Sequence, residues 1–115
     1  MRRGEIRLVD LEPARGAEAN KLRPAILVSN DAANATAERL GRGVLTVVPV
    51  TSSVIRIYPF QVLIREGEGG LSADSKAQAE QVRSVAVERV GALLGRLPAS
   101  TMATLDDALR LHLAL

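Results

Sequence analysis

The chain has no cysteine, no tryptophan and a single histidine, His112. Without cysteine there is no disulfide framework, no thiolate zinc site and no iron–sulfur cluster. One histidine leaves no histidine-rich metal site, so no metal and no cofactor are expected. Aromatic rings are nearly missing, with Tyr58 and Phe60 the only two, and a base-stacking surface of the usual single-strand-binding kind would be meagre. No apolar run approaches the roughly 20 residues that span a bilayer. Met1-Arg2-Arg3-Gly4-Glu5 is followed by no apolar stretch of the kind a signal peptide carries, so a cytoplasmic, membrane-free protein is expected. Lysine is scarce too. Of fifteen basic residues only Lys21 and Lys76 are lysine, leaving thirteen arginines against thirteen acidic residues and a net charge of +2. Arginine is the better bidentate phosphate ligand. A genome rich in G and C would enrich Arg, Ala, Gly and Val together, so each arginine is judged by its position.

What is present fits one domain over residues 1–115, long enough for a single core. Gly4 to Leu11 alternates loosely and reads as a first strand. Glu12 to Leu22 is a polar loop with Pro13 and Gly16, longer than most connections. Pro24 to Ser29 is an apolar second strand, and Asn30-Asp31 caps a short helical turn over Ala32–Ala37. After the Gly41–Gly43 turn, Val44 to Val50 forms a β-branched third strand, then Thr51 to Arg56 a polar loop. Ile57 to Arg65 reads as a strand interrupted by Pro59. Glu66 to Gly70 is a turn with no other evident role, and Leu71 to Lys76 a polar link. Gln78 to Val85 is a strand with Ala79 and Val82 inward, Val87–Arg89 a helical turn, and Ala92–Leu97 a last short strand. Ser100 or Thr101 caps the one clear helix, whose stripe Met102, Leu105, Leu109 and Leu113 should face the sheet. The expected fold is mainly β: a small, strongly bent antiparallel sheet or partly open barrel with a C-terminal α-helix. A sheet this small under one helix leaves apolar surface over, so a homodimer is expected.

The stretch Glu18-Ala-Asn20-Lys21-Leu-Arg23-Pro24 is the organising feature. Pro24 fixes its own φ and pushes Arg23 toward extended backbone. A guanidinium at the mouth of a rigid strand suits a residue that meets phosphate with fixed geometry. The plainer reading is a solvated arginine that starts an edge strand.

Four pieces in this order resemble the MazF/PemK (Kid) family of toxin endoribonucleases, in the same SH3-like fold group as CcdB. They are Gly4-Glu5-Ile6 with Asp10-Leu11 and Pro13; Gly16-Ala17-Glu18 with Arg23-Pro24 and Ser29-Asn30-Asp31; Val48-Pro49-Val50-Thr51-Ser52; and Asp74-Ser75 with Glu80-Gln81-Val82-Arg83-Ser84. The resemblance covers essentially the whole chain. It departs at Arg7-Leu8, where the family usually carries an aromatic residue, and in the alanine-rich link before Glu80.

The resemblance implies a metal-independent, sequence-selective cut of single-stranded RNA by the ribose 2′-OH, and a cognate antitoxin (MazE-like) with an acidic disordered tail. It also implies a homodimer. It puts Arg23 and Thr51 at the reaction centre, where a planar fork of donors and a hydroxyl suit a pentacovalent phosphorane. Glu18 either takes a proton or holds the loop closed by pairing with Arg23. Lys21, Asn20, Ser52, Ser53, Asp74, Ser75 and Arg83 are the candidate substrate-binding residues. Arg83 has the alternative of pairing within its own strand region, and Thr51 that of capping its own loop. His112 is expected on the surface or at a dimer contact. Two other functions compete. A CcdB-like gyrase poison would rely on a tryptophan near the C-terminus, which this chain lacks. An inactive barrel-type binding module would not need Arg23 and Thr51 together.

Overall fold

Successive side chains on a strand point to opposite faces, so a strand with no polar alternation must be buried on both. Two strands here satisfy that condition. In the computed structural model, which describes residues 1–11 and 22–115, they are β2 (Leu22–Leu27) and β3 (Val44–Thr51). On β2, Ile26 enters one core while Ala25 and Leu27 enter a second. On β3, Val48 and Val50 join the first and Leu45 and Val47 the second. The second core is capped by α1 (Asp31–Leu40) through Ala37, the first by α2 (Ala99–Leu113) through Leu105, Ala108 and Leu109.

The remaining strands are β1 (Glu5–Asp10), β4 (Gln61–Ile64), β5 (Ser75–Gln78), β6 (Arg83–Ala86) and β7 (Val90–Arg96). All pairings are antiparallel, in the order β4-β5-β3-β2-β1-β7. β3 is the pivot: Val44–Val47 pair with β6, and Val50 and Thr51 pair with β5. One long strand with two partners in succession bends the sheet. The bent antiparallel sheet under a C-terminal helix is the architecture the sequence implied.

Local differences have local causes. The helical turn expected over Ala32–Ala37 is the longer α1. The Asn30 side chain accepts a hydrogen bond from the Ala33 N–H at its start, and Gly41, at φ 65°, closes its end. The strand expected from Ile57 to Arg65 is confined to β4, because Pro59 sits in a turn closed by the Gln61 N–H donating to the Tyr58 carbonyl. The strand expected from Gln78 to Val85 is two strands separated by a 3-10 turn over Ala79–Gln81. Ala79 and Val82 do turn inward.

The C-terminal helix begins at Ala99 with Pro98 before it, and neither Ser100 nor Thr101 caps it. The Thr101 hydroxyl lies 3.1 Å from a Glu68 carboxylate oxygen instead. Leu105 and Leu109 face the core as expected and Met102 packs against it, but Leu113, in the last turn, is exposed. Ala108 completes the buried stripe.

The Glu66–Gly70 turn has a role that its composition hid. Its 3-10 turn, Glu68–Gly70, lies directly on the backbone of β7. A Cβ on Gly70 would sit 2.0 Å from the Leu94 carbonyl oxygen, and Gly70 has φ +78°. Only glycine allows that approach.

Candidate active site

Pro24 and Pro49 create the site by what they lack. β2 and β3 pair over Leu27↔Val47, Ile26↔Val48 and Ala25↔Pro49, and there the ladder stops. Neither proline has an N–H to extend it. β3 then turns to β5, while β2 stays with β1 through Leu8↔Pro24 and Val9↔Arg23. The strands part and leave a cavity of about 260 Å³, lined by Arg23 and Pro24 on one side and Val50, Thr51 and Ser52 on the other. The Leu71–Ala73 segment and Ser75 complete it. Arg23 is exposed at the mouth and Thr51 is half-buried.

The structure thus brings four sequence-predicted residues together: Arg23, Thr51, Ser52 and Ser75. The Thr51 hydroxyl oxygen accepts the Ser53 N–H at 3.3 Å, the loop-capping contact considered for it, and keeps its own hydrogen to donate. Ser75 is buried and its hydroxyl donates to the Ala73 carbonyl at 2.9 Å, which fixes the cavity wall.

Asp74 and Arg83 stand outside this lining. Asp74 accepts the Glu66 N–H at 2.8 Å and has Arg65 at 3.9 Å, so it holds the turn that follows β4. Arg83 donates from Nη1 to the Leu11 carbonyl at 2.8 Å, tying β6 to the end of β1. Glu18, Asn20 and Lys21 lie outside the described residues. His112 is on the exposed surface.

Three residues linked to Thr51 through its ladder partner were given no site role in the sequence reading. Lys76 is the ladder partner of Thr51 and is only 9% exposed. Its Nζ donates to the Arg56 carbonyl at 2.7 Å and lies 6.0 Å from the Tyr58 ring centroid. Tyr58 and Phe60 stack on each other nearly parallel, at 5.4 Å between centroids. No local pattern announces the pairing of Thr51 with Lys76, which depends on a register set 25 residues away in sequence. The scarcity of aromatics was the one available clue, since both rings fall just after Thr51.

Arg7, at the position where the resemblance leads one to expect an aromatic residue, is occupied elsewhere. Its Nε donates to Glu5 at 2.9 Å and its Nη1 to the Gly91 carbonyl at 3.1 Å, and Arg96 approaches the same carboxylate at 3.5 Å. Burial alone would raise the Glu5 pKa, but the hydrogen bonds from Arg7 and the Arg2 backbone, with the Arg7 charge, hold it below its ordinary value.

Residues 2–113 match the PemK-like, MazF-like toxins of type II toxin–antitoxin systems, and the chain belongs to that family. It is 64% identical over 115 residues to endoribonuclease MazF9 of Mycobacterium tuberculosis (strain ATCC 25618 / H37Rv), covering all of this chain and 98% of that one. Endoribonuclease MazF of Staphylococcus epidermidis is 30% identical over 116 residues, covering 100% of this chain and 92% of its own. Among solved structures, the MazE–MazF complex (Form-II) from Deinococcus radiodurans contains a chain similar at a TM-score of 0.80 and 26% identity, over 100% of this chain and 96% of that one. The family resemblance carried by the four sequence pieces is therefore real. Among the described residues, no helix is long and apolar enough to cross a membrane.

Proposed function

We propose that this chain is a cytoplasmic endoribonuclease toxin that cuts single-stranded RNA at selected sequences, without a metal, and is held inactive by a cognate antitoxin. The observation that carries the reading is the gap at Pro24 and Pro49, which sets the Arg23 guanidinium and the Thr51 hydroxyl around one open cavity. Relatives with endoribonuclease names at 64% and 30% identity support the reaction class. The MazE–MazF structure supports an antitoxin partner.

The ribose 2′-OH of the RNA loses its proton and attacks the adjacent phosphorus, the bond to the 5′-oxygen breaks as that oxygen takes up a proton, and a 2′,3′-cyclic phosphate and a 5′-hydroxyl form. Arg23 and Thr51 donate to the phosphoryl oxygens as charge accumulates on them. One such preorganised donor is worth roughly 2.7–4 kcal/mol of barrier. Glu18 is the nearby carboxylate in sequence for proton transfer. Lys21, Asn20, Ser52, Ser53, Ser75, Asp74 and Arg83 are proposed to contact the strand on either side.

Two copies pair through the apolar surface at the end of α2. Leu111, Leu113 and Leu115 are exposed there, beside an open groove of about 500 Å³ between α2 and the sheet. The acidic tail of the antitoxin occupies the RNA groove, because a rim bearing Arg23 attracts carboxylates as readily as phosphates.

Incubation with single-stranded RNA in EDTA tests the activity. Cleavage supports a metal-independent nuclease. Intact RNA, with tight binding to gyrase, would favour the CcdB-like alternative.

A further inference from the structure

Lys76 is expensive where it stands. Its side chain leaves β5 directly opposite Thr51 and is buried, yet among the described residues no carboxylate lies within salt-bridge distance of its ammonium. Its recorded partners are a backbone carbonyl, that of Arg56, and the face of Tyr58. Taking an ammonium out of water is unfavourable, and one charge-assisted hydrogen bond with a cation–π contact near the 6 Å limit offsets that only in part. For stability alone, an uncharged chain of the same length would serve as well.

The Ser52–Phe60 connection gives the buried charge a purpose. It has no regular secondary structure, and Ile55 is 99% exposed. Its ends are tied down by the Ser53 N–H on Thr51 and by Gln61, whose side-chain oxygen accepts the Tyr58 N–H at 3.1 Å. Gln61 is in turn anchored to Glu80 at 2.6 Å. Between these anchors, among the described residues, the hydrogen bond that reaches the sheet is the one from Lys76 to the Arg56 carbonyl. The same ammonium sits against Tyr58, whose ring stacks on Phe60, with the Arg56 guanidinium carbon 5.6 Å from the Tyr58 centroid. One buried cation therefore holds the middle of the connection and the first of its two stacked rings to β5, while Ser52, at the start of the same connection, lines the cavity.

We infer that Lys76 is a positioning residue of this site: it clamps the Ser52–Phe60 connection against β5 so that the wall next to Thr51 is already shaped when a polynucleotide strand arrives. The inference rests on the nuclease reading for its ligand. The clamp itself does not. A preformed wall spares the strand the ordering of a loop on binding, so its loss appears in KM more than in kcat.

The test is Lys76→Met in the full chain. Tyr58 is the sole tyrosine and there is no tryptophan, so intrinsic emission reports this connection alone. The melting temperature should stay level or rise, and the emission anisotropy of Tyr58 in the free protein should fall. KM for an RNA oligonucleotide should rise by at least about tenfold, the equivalent of one charge-assisted hydrogen bond, with kcat within about threefold. If Lys76→Met does not fold, Lys76→Gln carries the same expectation. Unchanged anisotropy overturns the clamp. A drop in melting temperature with unchanged KM makes the residue merely structural and also overturns it. A wild-type chain that cuts no RNA refutes the nuclease reading, while the anisotropy comparison still decides the clamp.

Discussion

Arg23 and Thr51 face one cavity because the strands that carry them stop pairing two residues before the two would have met: Ala25↔Pro49 is the last rung, and Pro24 and Val50 lie between it and them. Two prolines, each unable to donate to the ladder, turn a continuous sheet into a cleft. The two side chains then stand at strand ends, not in the core.

That placement separates chemistry from stability. Arg23→Ala and Thr51→Ala should each slow RNA cleavage by about a hundredfold or more, with melting temperatures close to wild type. Single-turnover cleavage and calorimetry on the same preparations check both halves. A variant that loses activity by unfolding would remove the residue from the proposed machinery.

The glycine turn on β7 gives a prediction with a built-in control. Gly70→Ala should destabilise strongly, because a Cβ there overlaps the Leu94 carbonyl oxygen. Gly67→Ala meets nothing within 4 Å and carries only the strain of its φ of +90°, about 1–2 kcal/mol. Urea denaturation of the two variants should rank them in that order. Equal losses would mean that the turn does not pack on β7 in solution.

Glu5 sets part of the acid sensitivity. Its folded pKa lies below the ordinary value of 4.5, so its stabilising contribution is complete above that value and lost as pH falls through the lower folded one. Glu5→Gln should be less stable than wild type at neutral pH, and the gap should narrow on acidification. Parallel melting curves from pH 7 to pH 3 would show that the Arg7–Glu5–Arg96 cluster contributes nothing through Glu5.

The exposed leucines at the end of α2 predict association. Leu113→Asp, placed in the groove beside Arg110 and Leu115, should shift a dimer to monomer in sedimentation at micromolar concentration. A wild-type chain that sediments only as a 12.2 kDa species would leave that face without the proposed partner.

Much of this was legible in the sequence because it is written locally. The unbroken run Ala25-Ile26-Leu27-Val28 reads as a buried strand, and its first three residues are the buried end of β2; Leu105 and Leu109 belong to the helical stripe that faces the core. Arg23 and Thr51 were picked out from the motifs around them, and the fold does gather them. What stayed hidden depends on register. Nothing near Lys76 says that it will stand across from Thr51, and nothing near Gly70 says that β7 will pass within van der Waals contact of it. The break between Gln78 and Arg83 was also invisible, because no glycine or proline marks the 3-10 turn over Ala79–Gln81. Arg83 read as basic and near the motif, but its guanidinium meets a carbonyl 72 residues earlier in the chain.

The central claim is that the substrate's own ribose hydroxyl is the nucleophile, assisted by Arg23 and Thr51. Mass spectrometry of the ends left on a defined RNA oligonucleotide, cut in EDTA by the purified chain, tests it most directly. The expected ends are a 2′,3′-cyclic phosphate, or the 3′-phosphate it opens to, together with a 5′-hydroxyl, with no cut where the sugar 5′ of the scissile bond is 2′-deoxy. A 5′-phosphate on the product, or cleavage of the deoxy-substituted strand, would contradict it.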